Sequence, residues 1–193
     1  MTRNEFSRRR FLRDGAVASA AAWAAPAALS GATHPSNADY LEVGLPKSEL
    51  LTPALCIDLD ALEANIDTMQ STVSANGIGV RPHTKTHKTP AIAHMQMARG
   101  AVGICTAKLT EAEVMFEHGL DEILLTTPNV SAAKIRRAMQ LRTRCDGFVQ
   151  AVDTEANARD LGDAAREAGI VADIVIDVDP GGHRTGVTAG EPA

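Results

Sequence analysis

Arg81-Pro82-His83-Thr84-Lys85-Thr86-His87-Lys88 follows the apolar run Ile78-Gly79-Val80 and precedes Thr89-Pro90. Pro82 and Pro90 oppose a helix, and alternate threonines suit an extended chain, so the octapeptide reads as a strand end and the turn after it. Residues two apart in a strand share a face. Arg81, His83, Lys85 and His87 are then expected on one face, with Thr84, Thr86 and Lys88 on the other. An unpaired charge pointing inward costs several kcal/mol, so it needs a reason. One reason is a lysine kept deprotonated for nucleophilic work, because desolvation and neighbouring cations both lower an amine's pKa.

Two plainer readings stay open on the octapeptide alone. His83 and His87 are four apart, a metal-ligand spacing on a helix, but on a strand that separation is roughly 13 Å, too far for one ion. The stretch could also be a solvated basic edge.

Outward from it, the chain alternates. A strand is expected at Ala54 to Asp58. A helix from Asp60 to Ser74 follows, with Leu62, Ile66 and Met69 at helical spacing and Asn76-Gly77 as its stop. After the lysine strand come helix Pro90 to Ala98, strand Val102 to Thr106, helix Glu111 to Glu117 and strand Glu122 to Thr126. Helix Ser131 to Leu141, strand Gly147 to Val152, helix Glu155 to Ala168 and strand Ala172 to Asp179 complete the series. Repeated βαβ units imply an α/β fold with a parallel sheet, either doubly wound or a (β/α)8 barrel.

The octapeptide resembles the cofactor-lysine motif of the D-threonine aldolase and D-serine dehydratase family, pyridoxal-phosphate enzymes of the alanine-racemase (fold type III) class. The similarity runs from Leu51-Thr52-Pro53-Ala54-Leu55 through Asp58-Leu59-Asp60-Ala61-Leu62-Glu63-Ala64-Asn65. It continues in Gln96-Met97-Ala98-Arg99-Gly100-Ala101-Val102-Gly103, in Ala107-Lys108 with Glu111-Ala112-Glu113, and in Asp177-Val178-Asp179-Pro180-Gly181-Gly182-His183-Arg184-Thr185-Gly186-Val187. The resemblance implies the barrel, of which five strands are counted from the lysine strand, and a C-terminal β domain that is absent here. It implies that Lys85 is the Schiff-base lysine and that Arg184 reaches the cofactor ring near its phenolic oxygen. A guanidinium suits that place because it does not deprotonate. Arg184 could instead be a loop arginine paired with Asp179. His83 and Arg81 are expected either to tune the cofactor site or to satisfy the barrel interior, and Glu111 and Glu113 to start a helix. In a barrel, chemistry gathers at the C-terminal strand ends, here Lys85, Thr106, Thr127, Asp153 and the Asp179–Arg184 loop.

The implied reaction is retro-aldol cleavage of a small D-β-hydroxy-α-amino acid to glycine and an aldehyde. The divalent metal (Mn, Mg or Zn) that assists it is expected only in a longer protein, so no metal ligand is assigned in this chain. A dehydratase or racemase on the same cofactor, or a non-catalytic pyridoxal-phosphate-binding protein, is the alternative. A homodimer is implied for the full-length protein.

Residues 1–32 read as an address rather than as fold. Ser7-Arg8-Arg9-Arg10-Phe11-Leu12 has the form of a twin-arginine export signal, followed by a short Ala-rich stretch interrupted by Pro26. Periplasmic localisation is therefore expected, with no membrane attachment after cleavage. Residues 33–50 read as a linker and 51–193 as the barrel domain. The whole chain carries −5, and removing a segment of net +3 leaves −8, a charge that disfavours nucleic acid as a partner. Three cysteines without a Cys-x-x-Cys pair give no disulfide framework, and Cys56 and Cys105 are expected in the core. The chain ends at Gly190-Glu191-Pro192-Ala193, where a further helix would begin, so a partial sequence, inactive and aggregation-prone by itself, is the expectation.

Overall fold

The alternating pattern beyond residue 100 calls for parallel strands joined by helices, and the computed structural model, which describes residues 44–190, contains them. The export signal and most of the linker lie outside the described residues. Two compact units divide the chain, one up to Met69 and one from Gln70, with the boundary inside helix α1 (Leu59–Ala75).

In the first unit a one-turn 3-10 helix spans Lys47–Glu49, and an exposed stretch leads into α1. The Asp58 carboxylate accepts the Ala61 N–H at 3.1 Å, a capping contact that starts the helix. The strand expected at Ala54 to Asp58 does not form. Leu55 and Ile57 are exposed and Cys56 is exposed rather than in a core. An apolar run becomes a strand only where a neighbour takes its backbone groups, and no ladder forms there among the described residues.

In the second unit α1 ends at Asn76-Gly77 as expected, Gly77 taking the left-handed conformation. Helix α2 (Pro90–Ala98), β1 (Ile104–Thr106), α3 (Leu109–Glu117), β2 (Ile123–Leu125), α4 (Ala132–Arg142), β3 (Phe148–Val152), α5 (Glu155–Ala168) and β4 (Asp173–Ile176) follow in order. The strands form one parallel sheet in the order β1-β2-β3-β4. The lysine segment adds itself outside β1 through a parallel bridge between His83 and Cys105. Strand, helix and order therefore agree with an α/β fold built on a parallel sheet.

Register sorts the side chains into two faces. Ile104, Ile123 and Phe148 form one row, and Thr106, Leu125 and Gln150 the next. Every one of these is buried beneath α2 to α5, in a core with Ala93, Leu109, Ala112, Met115, Ile135, Met139, Leu161 and Ala165. Cys105, Leu124 and Val149 face the other way and are only partly covered. Helix ends follow their side chains. Ser131 accepts Lys134 N–H, Thr154 accepts Asn157 N–H, and Gly169 closes α5 in the left-handed region.

The last strand departs from expectation in its length. It breaks after Ile176, and Val178–Asp179 (β5) instead pairs in parallel with Val187–Thr188 (β6). Ile174, Val175, Ile176 and Val178 are exposed, in keeping with an apolar run at an open edge. None of the described helices is long and apolar enough to cross a membrane.

Candidate functional site

The lysine segment is extended only as far as His83. Val102 N–H donates to Val80 C=O and Cys105 N–H to Pro82 C=O, which holds residues 80–83 along β1. Thr84–Thr86 then close a single 3-10 turn. Thr84 is buried, its hydroxyl donating to Cys105 C=O at 3.0 Å, and its own carbonyl accepts His87 and Lys88 N–H at 3.1 and 2.7 Å. The expected alternation of faces through Lys85 and His87 therefore fails beyond His83. A turn, not a strand, presents Lys85. The Lys85 side chain is exposed at the C-terminal end of the sheet and makes no ion pair among the described residues. Its neighbour Lys88 does, facing Glu111 at 4.0 Å.

His83 sits below the turn. Its Nδ1 accepts Lys85 N–H at 3.3 Å, and its Nε2 lies 3.3 Å from Thr126 Oγ1. The Thr126 hydroxyl donates to Thr106 C=O at 3.0 Å. Burial, then the Lys85 charge, push the His83 pKa below the ordinary imidazole value, against Glu111 and the Cys105 backbone, which raise it. A neutral ring carrying its proton on Nε2 satisfies all three contacts. His87 is likewise held below its usual value by burial, its Nδ1 accepting Thr89 N–H at 3.0 Å. No trio of His, Cys, Asp or Glu among the described residues is arranged to hold a metal ion.

Arg81 lies at the opposite, N-terminal end of the strands. It donates to Glu122 C=O at 2.9 Å and faces the Glu122 carboxylate at 3.8 Å, filling the space over Gly103. Of its two expected roles, the geometry gives the satisfied interior. Glu111 accepts Ala107 and Lys108 N–H at 3.0 and 3.2 Å and so starts α3, whereas Glu113 reaches α4 to hold Arg137.

At the far side of the sheet the Asp179 carboxylate organises the glycine-rich loop. It accepts Gly181 N–H at 2.9 Å and His183 N–H at 3.0 Å, and faces His183 Nδ1 at 3.2 Å. The Gly181 N–H chiefly holds its pKa below the usual value; desolvation, the next effect, opposes it, and the His183 and Gly182 N–H groups and the His183 ring add to the lowering. Asp179 therefore pairs with His183, not with Arg184, which is exposed and meets no acid among the described residues. Gly186 is required where it stands. A Cβ there would come within 2.7 Å of Asp179 N and Val178 C, at a φ of +95°.

The sequence reading missed Thr84 and Thr126, naming Thr127 in place of the latter. Period-two spacing from Leu124 would have put Thr126 on the His83 face. It also missed the buried amides of Asn129, Gln150 and Asn157. Asn129 donates to Gln150 Oε1 and Asn157 to Asn129 C=O, fixing the loop after β2.

A family model described as alanine racemase, N-terminal domain, matches residues 57–193. The chain belongs to that family. It is thus a member of the fold type III pyridoxal-phosphate enzymes. It is 39% identical over 138 residues to D-threo-3-hydroxyaspartate dehydratase of Delftia sp., covering 72% of this chain and 36% of that protein. It is 37% identical over 149 residues to 3-hydroxy-D-aspartate aldolase of Paracoccus denitrificans, covering 77% of this chain and 38% of that one. The crystal structure of D-threonine aldolase from Filomicrobium marinum superposes with a TM-score of 0.74 at 40% identity, covering 77% of this chain and 40% of that chain. The chain thus spans well under half the length of these relatives.

The residues present fit part of what pyridoxal phosphate requires. Lys85 offers an exposed amine with no counter-ion among the described residues, on a turn whose Thr84 carbonyl accepts His87 and Lys88 N–H and whose Lys85 N–H meets His83. Arg184 offers a guanidinium that meets no acid among the described residues, on a loop at the same end of the sheet. Three strands separate them, about 19 Å along a flat sheet, so they meet over one ligand only where the sheet curves.

Proposed function

We propose that this chain holds pyridoxal 5′-phosphate on Lys85, as part of a lyase acting on small D-β-hydroxy-α-amino acids. The carrying observation is the Lys85 turn, at the C-terminal end of a parallel sheet in a pyridoxal-phosphate family, with an amine that has no ion pair among the described residues beside a neighbour that does. The sheet and its helices are read as an arc of a (β/α)8 barrel, whose curvature would bring the Arg184 loop toward Lys85. When bound, the cofactor supplies an electron sink for the bond broken at Cα. Lys85 Nζ would hold it through its aldehyde carbon. Arg184 would face the phenolic oxygen, where a group unable to give up its proton stabilises negative charge.

D-threonine or a 3-hydroxy-D-aspartate is the substrate proposed, with glycine and an aldehyde as products, in keeping with the aldolase relatives. The second reading, favoured by the 39% identity to the Delftia enzyme, is dehydration of the same substrate class. Product analysis separates them, since cleavage yields glycine and dehydration a 2-oxo acid with ammonia. The test of the shared premise is borohydride reduction of the pyridoxal-phosphate-loaded protein followed by peptide mapping. Label on Lys85 supports the proposal, and label on Lys88 or Lys108 overturns it. A divalent metal and a homodimer are proposed only for a longer protein. Export is proposed through Arg8 and Arg9, and Arg8→Lys with Arg9→Lys should keep the precursor in the cytoplasm. Unchanged periplasmic appearance would remove that reading.

A further inference from the structure

We propose that His83 is a positioning residue, which sets the turn presenting Lys85 by accepting the Lys85 N–H at Nδ1 while its Nε2–H is anchored on Thr126. The inference rests on Lys85 being the reactive amine, and it concerns what holds that amine in place.

The proton arrangement has a single consistent solution. The Thr126 hydroxyl has one hydrogen and gives it to Thr106 C=O, so its oxygen can only accept from His83. Nε2 then carries the ring proton, Nδ1 is bare, and the group facing Nδ1 is the Lys85 N–H, a donor. The opposite tautomer would set N–H against N–H at Lys85 and leave Nε2 competing for a hydroxyl already committed. One imidazole thus links three adjacent strand ends: the lysine segment, β1 through the Thr106 carbonyl, and β2 through Thr126. The His83–Cys105 bridge fixes its backbone in register with β1. The contact at Nδ1 replaces a backbone acceptor that a one-turn helix cannot supply to its first N–H groups. That is what an Asn or Asp cap does elsewhere. Histidine does it here because the same side chain must also reach two strands away.

The two nitrogens can be separated by substitution. Asn places its carbonyl oxygen near the position of Nδ1, so His83→Asn keeps the acceptor for Lys85 and loses the anchor. Gln reaches toward Nε2, so His83→Gln keeps contact with Thr126 and loses that acceptor. Amide exchange of Lys85 in the cofactor-free protein is the first readout. Removing about one net hydrogen bond should speed it roughly tenfold in the Gln variant, with the Asn variant within about twofold of the parent. The rate of borohydride-trapped pyridoxal phosphate on Lys85 should fall in the same order. Equal exchange in the parent and the Gln variant would overturn the inference. So would an Asn variant as damaged as the Gln variant, since the imidazole would then be needed for something other than Nδ1. Label on a lysine other than Lys85 would remove the cofactor proposal, while the exchange comparison still decided whether His83 holds the turn. Should the Gln variant fail to fold, Thr126→Val serves. The Nε2–H proton of His83, shielded in the parent by Thr126 Oγ1, should exchange with solvent faster in that variant, while the tautomer stays Nε2–H because the Lys85 N–H still faces Nδ1. Equal Nε2–H exchange in parent and variant would overturn the anchor, and the inference with it.

Discussion

Val152 and Ile176 are register partners on adjacent parallel strands and point to the same face of the sheet. Val152 is 3% exposed and Ile176 57%. Nothing in their own chemistry separates them, since both are β-branched and apolar and together form the last pair of one ladder. The difference lies above them. Val152 belongs to the core that Leu161 and Ala165 of α5 complete, whereas no described helix covers Ile176. Burial is thus a property of the covering element, and the lysine side of the sheet has one where the β4 side does not.

The largest effect should come from the covered side. Phe148 is fully buried at the centre of the core, so Phe148→Ala should cost about 3–5 kcal/mol, seen as a large fall in the denaturant midpoint. A loss below about 1 kcal/mol would mean that the core in solution is not the one described.

Gly103 tests the N-terminal end of the sheet. It sits at φ +150°, and a Cβ would collide with the Arg81 guanidinium and lie 2.7 Å from Glu122 C=O. Gly103→Ala should cost about 2 kcal/mol through strain and displacement of the Arg81 guanidinium. Arg81→Ala should not restore it, because the backbone oxygen stays in the way. Full rescue in the double variant would show that the side-chain clash was the whole effect.

These comparisons also say what could be read from sequence. Helix α5 is as expected at both ends, because Thr154 and Gly169 mark its start and stop by local chemistry. The order of strands was legible for the same reason, each apolar run being bounded by its own turn residues. The lysine segment was legible to His83 and no further. Beyond it Thr84 turns inward to the Cys105 carbonyl, a partner 21 residues away that no local pattern announces. The apolar run of β4 reads the same with or without a cover, and its place at an open edge was legible only from its being the last of the strands counted. At the candidate site, Lys85 was singled out by its motif, whereas Thr126 meets His83, 43 positions earlier, through a contact that no local pattern announces.

A smaller effect separates the two sides by pH. His83 and His87 both have folded-state pKa values below the usual imidazole value, mainly through burial. The unfolded chain therefore binds protons first, so stability present above about pH 6.5 is lost as pH falls through and below that value. Around His83 the Lys85 charge adds to this and Glu111 opposes it. His83→Asn, which cannot titrate, should flatten the acid slope only in part, because His87 remains. A slope unchanged by the substitution would assign the whole effect to His87 and other groups.

The smallest change in stability is expected at the uncovered side. Ile176 keeps more than half its surface in water, so Ile176→Lys forfeits little burial, and its aliphatic stem can still lie along the strand. Stability should change by no more than a few tenths of a kcal/mol. Self-association should change more. Ile174, Val175 and Ile176 form an exposed apolar run on β4, the outermost strand of the described four-stranded sheet, the arrangement by which strand edges recruit other chains. A lysine there is a common natural means of keeping such an edge apart. Sedimentation at rising protein concentration should therefore show less association for the variant than for the parent, at equal thermal stability. The matching Val152→Lys change, one strand over and on the same face, should instead unfold the protein, since a charge would then lie unpaired inside the core. If Ile176→Lys proved as destructive as Val152→Lys, Ile176 would be covered in solution, and the contrast between the two sides of the sheet would disappear.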